Sequence, residues 1–223
     1  MKRNCRSLFA LAKPFAAIAL FGSVLTGCGA IHHVGEVMSG NTADVAVRKI
    51  TESSRPDDRR EGMLYLTDHD YGLKEPYTKF YRDIAEKDPD PLVRATALRS
   101  LNRARDKQAT PLFIKALSDP SPLVRLEGAK ALYRVPDPAA ADKLLAMTMS
   151  AEENKDVRIA AAEALQYYRR IDIGRQLVSL LNQRDFGIAW QARRTLKRLT
   201  GKDLNYDEAA WLQYITGPSK PLG

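Results

Sequence analysis

The chain has 223 residues, with 35 Lys or Arg against 27 Asp or Glu, a formal charge of +8, and 44% hydrophobic residues. That apolar content suffices for a buried core and excludes a wholly disordered chain, and beyond the N-terminus no apolar run approaches the roughly 20 residues of a spanning helix, which excludes a polytopic membrane protein. Two cysteines exclude a disulfide framework or a four-thiolate zinc site built from this chain alone.

Residues 1–27 have the three-part layout of a secretory signal. Lys2, Arg3 and Arg6 make a basic start, with Lys13 further in; an apolar stretch runs from Phe15 to Leu25, and small residues end at Gly27. Leu25-Thr26-Gly27-Cys28 resembles the bacterial lipobox: a branched residue, two small ones, then the cysteine that is lipidated before cleavage. The resemblance implies a mature lipoprotein starting at Cys28, which carries palmitate and further acyl chains, with Cys5 discarded. No free thiol then remains for catalysis or metal binding. Several acyl chains tether a domain stably to a leaflet, where one would hold it only marginally. Many Gram-negative lipoproteins kept in the inner membrane carry Asp after the cysteine. Gly29 stands there, which implies the periplasmic face of the outer membrane. The other reading is an uncleaved anchor helix with an incidental thiol at Cys28. Because the signal holds four basic residues and no acidic one, cleavage lowers the charge from +8 to +4. Residues 28–41, with His32 and His33, read as a tether.

From there the chain repeats itself. Val93-Arg94-Ala95-Thr96-Ala97-Leu98-Arg99-Ser100-Leu101 is echoed by Val124–Leu132 and Val157–Leu165, with weaker copies at Asp58–Leu66 and Ile188–Leu196. The anchor leucines Leu66, Leu101, Leu132, Leu165 and Leu196 lie 35, 31, 33 and 31 residues apart, a solenoid period. Each motif reads as the second helix of a hairpin, since Val124, Gly128, Ala129 and Leu132 fall on one helical stripe. The small residues Ala97, Gly128, Ala161 and Ala192 allow close approach of a neighbouring helix. First helices lie between: Ala43, Val47 and Ile50; Tyr77, Phe80, Tyr81, Ile84 and Ala85 after Pro76; Phe113, Ala116 and Leu117 after Pro111; Leu144, Leu145 and Thr148 after Pro138; Ile173, Leu177, Leu180 and Leu181. The reading is an all-α solenoid of about five helical hairpins over residues 42–200.

Over that span the sequence resembles HEAT-repeat proteins, particularly the short units first named for phycobilin lyases, in which a turn from Asp-Pro to Val-Arg opens the second helix. Asp88-Pro89-Asp90-Pro91-Leu92-Val93-Arg94 and Asp119-Pro120-Ser121-Pro122-Leu123-Val124-Arg125 carry the resemblance most clearly. The third copy departs, with Glu152-Glu153-Asn154-Lys155-Asp156 before Val157-Arg158. The family's Asp and Arg link successive repeats, which implies a structural ladder of Asp88, Arg94, Asp119, Arg125 and Arg158. A catalytic Asp/Arg pair is the rival reading, disfavoured because stacking requires such a pair at every unit and a single active site does not.

After Leu199-Thr200-Gly201 the pattern changes. Asn205-Tyr206-Asp207-Glu208 reads as a capping box, and Tyr206, Trp211 and Tyr214 belong to a helix over 201–216 that closes the solenoid's apolar edge; a ligand-binding aromatic pair is the alternative. Residues 217–223 read as a flexible tail.

Chemistry is sparse. No phosphate-binding glycine loop, nucleophile elbow or zinc-protease motif is present, and no cofactor is implied. A metal site at His32 and His33 is disfavoured by the flexible tether expected there, and Asp68, His69 and Asp70 are a further weak metal or acid/base candidate, read in preference as a solvated turn because adjacent side chains diverge. Basic residues gather late in the second helices: Arg99, Arg103 and Arg105; Lys130 and Arg134; Arg169 and Arg170; Arg193, Arg194, Lys197 and Arg198, with Tyr133, Tyr167 and Tyr168 interleaved. The helix dipole favours cations there, and the same residues form a stripe suited to an acidic partner. The expectation is a monomeric, non-enzymatic scaffold, lipid-anchored in the cell envelope and holding an envelope protein on its concave face, without nucleic acid. The alternatives are a lyase-like enzyme or enzyme accessory, implied by the repeat resemblance alone, and a structural protein binding anionic glycan.

Overall fold

The computed structural model describes residues 42–218, 221 and 222; the expected signal segment 1–27 and the expected tether 28–41, with Cys28, lie outside them. Among the described residues there is no strand, and eleven α-helices follow in order: α1 (Ala43–Glu52), α2 (Pro56–Thr67), α3 (Tyr77–Lys87), α4 (Pro91–Ala104), α5 (Thr110–Ala116), α6 (Pro122–Arg134), α7 (Ala141–Met149), α8 (Lys155–Ala164), α9 (Ile171–Ser179), α10 (Phe186–Thr200) and α11 (Glu208–Thr216). They pair as five hairpins, α1/α2 to α9/α10, closed by α11.

Local chemistry explains the boundaries. Asp90 accepts hydrogen bonds from the Leu92 and Val93 N–H groups and Pro91 takes the first helical position, so α4 starts without orphaned donors. Asn154 and Asp185 cap α8 and α10 in the same way. Gly201, at φ 76°, ends α10 in the left-handed conformation that glycine adopts without strain.

The repeat rows of the sequence become layers. Leu66, Leu101, Leu132, Leu165 and Leu196 are all fully buried, each contributing about 2 kcal/mol of apolar transfer free energy. Four residues before each leucine stands a small residue, and the structure adds Gly62 to that row: a Cβ there would lie 2.5 Å from the Ala46 carbonyl oxygen, and one on Gly128 would lie 2.9 Å from that of Phe113. The small residues let each second helix approach the first helix of its own hairpin. Second helices also pack on one another in unbroken succession, α2 to α4, α6, α8 and α10, while the first helices scarcely touch. A two-layer stack bends toward its more closely spaced layer, so the second helices form the inner side.

The Asp/Arg residues lock hairpin to hairpin. Arg94 donates Nε to Asp119 Oδ2 at 3.1 Å and Nη2 to Oδ1 at 2.9 Å, while its Nη1 closes its own turn on the carbonyls of Asp88 and Pro89. Arg59 repeats this arrangement, holding Asp88 at 2.8 and 2.9 Å and the carbonyls of Ser53 and Ser54. Arg125 finds no Asp in the third copy and holds Glu153 instead, at 2.7 Å through both Nε and Nη2. Arg158 ends the series on neutral partners, the Thr148 carbonyl and Gln183 Oε1. Arg59 and Glu153 are rungs that the sequence motif hides, the first because its copy lacks the Val-Arg pair, the second because a longer carboxylate stands one residue later.

Three expectations change. The last helix is not opened by a box at Asn205, which sits at φ 54°; Asp207 is the cap, accepting from the Ala210 N–H at 2.9 Å. Residues 217–223 were expected to be free of the fold, yet Leu222 is buried against Gly174 and Ile215, and the Pro221 carbonyl accepts a 2.6 Å hydrogen bond from Arg169. The apolar edge that α11 leaves at α9 is what holds Leu222. Phe80, expected on the core stripe of α3, is exposed in an open cleft of about 400 Å³ with Ile50 and Ile84, since Tyr81 fills the core position beside it. The cap role of Trp211 is direct: it is fully buried and donates Nε1–H to the Asn205 carbonyl at 3.0 Å, with Tyr206 and Tyr214 half-buried at its flanks.

Two stability experiments follow. Glu153→Gln removes the counter-charge of a mostly buried guanidinium and should cost about 1–3 kcal/mol at pH 7 in urea unfolding. Burial by itself raises the Glu153 pKa, but the Arg125 and Asn154 hydrogen bonds outweigh it and the net shift is downward. The wild-type advantage over this variant is therefore complete above the ordinary Glu range, near 4.3, and should vanish as pH falls through the depressed value. Leu222→Ala should lower stability by about 2 kcal/mol; an unchanged midpoint would show that the C-terminal segment contributes nothing to the cap.

Candidate partner-binding face

Counting from each anchor leucine, the solvent-facing positions of the second helices form parallel rows. Two residues before the anchor stand Leu64, Arg99, Lys130, Glu163 and Arg194; two residues after it stand Asp68, Arg103, Arg134, Tyr167 and Arg198. Six residues before it come Arg60, Ala95, Leu126, Ile159 and Trp190, of which Ala95 is buried and Leu126 and Ile159 half-buried, and three further back Leu92 and Leu123. Leu64, Leu92, Leu123, Tyr167 and Trp190 are all more than two-fifths exposed, unusual for side chains this large on one face. From the second hairpin onward the inner side therefore carries an apolar band near the starts of the second helices and a basic band, interrupted by Glu163 and Tyr167, near their ends, while Leu64 stands outside this pattern in the first hairpin.

Ion pairs thin the basic band without emptying it. Arg99 Nη2 donates at 2.8 Å to the buried Glu127, a bond that raises the Arg99 pKa, and Lys130 Nζ reaches the same carboxylate at 3.4 Å. Arg103 reaches Asp68 at 2.7 Å. Arg134 and Arg198 make no ion pair among the described residues. Arg194 lies 3.8 Å from Glu163, outside good hydrogen-bond range, with its guanidinium 5.1 Å over the Trp190 ring. Tyr133 and Tyr167 meet edge to face at 5.7 Å.

The last hairpin holds a cleft of about 280 Å³, lined by Trp190, Arg193, Arg194, Lys197 and Asp203. Arg193 clamps Asp203 through Nε and Nη2 at 2.9 and 3.0 Å and lies 5.2 Å over Tyr206; Lys197 adds a 3.2 Å bond to the same carboxylate. These bonds, that of Arg193 first, hold the Asp203 carboxyl far below the usual range. Arg193 and Lys197 share one carboxylate while Arg194 adds a third charge, so the cleft keeps a positive balance beside an exposed indole. Toward the other end Leu92, Leu123 and Leu126 line a smaller cleft of about 120 Å³ with Arg60, Arg99 and Lys130.

Other expected members of the stripe lie elsewhere. Arg169 and Arg170 follow the end of α8 rather than lying on it. Arg169 serves the carbonyls of Leu199 and Pro221, and Arg170 bridges Asp142 at 2.6 Å and Asp172 at 2.5 Å. Tyr168 is buried, donating its hydroxyl to the Asp137 carbonyl at 2.9 Å. The weak metal candidate is not assembled: Asp68 caps α2 and faces Arg103, while His69 Nδ1 lies 2.8 Å from the Tyr65 carbonyl with its ring stacked on Tyr71 at 5.0 Å. Among the described residues no three His, Cys, Asp or Glu side chains could share a metal ion. Trp190, Leu126 and Ile159 were not singled out in the sequence, although their constant offset from the anchor leucines marks them as one row, in which Trp190 is exposed and Leu126 and Ile159 are half-buried against the core.

Residues 78–166 match the family model of HEAT repeats. The chain contains HEAT-like helical repeats. The match spans the second to fourth hairpins, where the ladder motifs are strongest, and the first and last hairpins extend the same HEAT-like α-solenoid by packing. No curated protein matches the chain.

Trp190 reports on this face, because Trp211 is fully buried. Acrylamide should quench one component of the tryptophan emission, and Trp190→Phe should remove that component while leaving the protected one; two equally quenched tryptophans would place Trp190 off the exposed face.

Proposed function

We propose that the protein is a non-enzymatic scaffold, lipid-anchored in the bacterial cell envelope through Cys28, whose HEAT-like inner face holds a partner protein. The observation that carries the reading is the pairing of exposed apolar side chains with under-neutralised cations on the closely spaced helix layer. Such a surface resembles the aromatic and Arg-rich centre of protein interfaces more than a catalytic pocket. The ladder acids and arginines are engaged with one another or with turn carbonyls, which supports a structural role for them. The lipobox, and Gly29 after it, support a tether to the outer membrane, with acyl chains as the membrane contact. A monomer fits a solenoid whose far end is closed by its own α11 and C-terminal segment.

The test separates address from binding. Cys28→Ala should move the protein from the membrane to the soluble fraction; an unchanged membrane fraction would instead indicate an uncleaved anchor. Arg134→Glu with Arg194→Glu, both on exposed positions outside the ladder, should leave thermal unfolding nearly unchanged and abolish recovery of a defined protein from solubilised envelope extracts. Recovery of the same protein by this double variant would remove the inner face from the interaction, and binding of purified envelope polysaccharide lost in the same variant would replace the protein partner by a glycan.

A further inference from the structure

We infer that the inner face takes an acidic amphipathic helix of the partner, laid across the second helices with its apolar side on Leu123, Leu126, Ile159 and Trp190 and its carboxylates on Lys130, Arg134, Arg194 and Arg198. The inference rests on the scaffold reading above and names the partner's chemistry.

Spacing is the first argument. Packed helices lie about 8–10 Å apart, and a partner helix advances about 10.5 Å in seven residues, which is two turns, so residues i, i+7 and i+14 present the same face to successive second helices. A β-strand covers that distance in about three residues and turns alternate contacts away. A polyproline helix also returns every three residues, so width decides between them. The apolar band centres on positions such as Leu123 and Leu126 and the basic band on Lys130 and Arg134, an offset of about seven to eight residues along the same helix, or roughly 11 Å. A rod about 10–12 Å across touches both bands at once; a thinner extended chain touches one.

Charge is the second argument. The basic band carries Arg99, Arg103, Lys130, Arg134, Arg194 and Arg198, against Asp68, Glu127 and Glu163, and the inward-turned Glu127 is buried. The residual charge is positive and lies on one side of an apolar strip, which suits a ligand with carboxylates on one flank and apolar side chains on the other. A polyanionic glycan leaves Leu92, Leu123 and Trp190 unused, and a flat lipid surface does not reach an inner face.

The fourth hairpin sharpens the fit. Glu163 and Tyr167 occupy its basic positions, with Tyr167 edge-on to Tyr133 at 5.7 Å. The heptad of the partner that crosses there carries no carboxylate, whereas those crossing hairpins two, three and five do.

Four synthetic 28-residue peptides test this against the full-length protein in detergent. One has leucine at every seventh position with glutamates on one flank except in the heptad facing hairpin four; the others are its lysine counterpart, a scramble of the same composition, and a version with one proline per heptad. The readouts are peptide anisotropy, peptide circular dichroism and Trp190 emission. The ordered acidic peptide should bind at least tenfold more tightly than the other three, gain helix on binding and shift Trp190 emission. The Lys130→Glu, Arg194→Glu protein should lose at least tenfold for it. Equal or better binding of the lysine peptide would overturn the charge assignment while leaving a protein-binding face. Equal binding of the scrambled or proline peptide would overturn the helix. Failure of all four peptides, with the envelope protein of the preceding section still lost on charge reversal, would overturn this inference alone; tighter binding of anionic polysaccharide or anionic vesicles would overturn both.

Discussion

A helical hairpin of about thirty residues has two apolar flanks and can cover neither by itself. Stacking identical hairpins is the solution this chain adopts, and most of its other features follow from that constraint. The buried leucines, the valines that open the second helices and the row from Gly62 to Ala192 all serve the same contact, made repeatedly. Residues used that way recur at the solenoid period, which is why the array is visible as repetition before any helix is assigned. The two ends of the stack are where repetition fails, and α11 with Leu222 closes one of them with side chains that belong to no repeat.

Apolar contact alone allows neighbouring hairpins to slide or rotate. The arginine ladder removes that freedom, because the guanidinium groups of Arg59, Arg94 and Arg125 are each tied at once to carbonyls of their own turn and to the carboxylate of the next repeat. A fork with fixed donor directions satisfied on both sides sets the angle as well as the distance between units. With that angle held along the array, exposed side chains at equal offsets from the anchor leucines fall into straight rows. The apolar and basic bands are thus consequences of the register, and their chemistry could diverge freely from repeat to repeat without disturbing the core, as Glu163 and Tyr167 illustrate.

Much of this was legible in the residues, and what was not has physical causes. The Asp-Pro to Val-Arg turns announced the ladder, but Glu153 escaped because a rung requires a carboxylate at a place in space, and a longer side chain one residue later reaches the same place. Arg59 escaped because its motif has lost the valine that marks the others. Arg169 read as a surface cation and turned out to bind backbone carbonyls 30 and 52 residues away. Phe80 lay on the expected stripe, yet a stripe defined only by helical period is wider than the strip that a short helix buries, and its neighbour Tyr81 took the core position.

What the sequence by itself determined is what depends on local chemistry and repetition: the all-α class, the hairpin count and the glycine stop at Gly201. These follow from short-range rules, since helical period, cap side chains and glycine conformations act within a few residues. Tertiary structure alone decided which cations remain available, that Leu222 docks instead of trailing, and that Trp190 stays exposed while Leu126 and Ile159 of the same row are half-buried. Those outcomes depend on which groups meet across thirty or more residues, and a charge is neutralised, or an indole left exposed, only by what the fold brings to it.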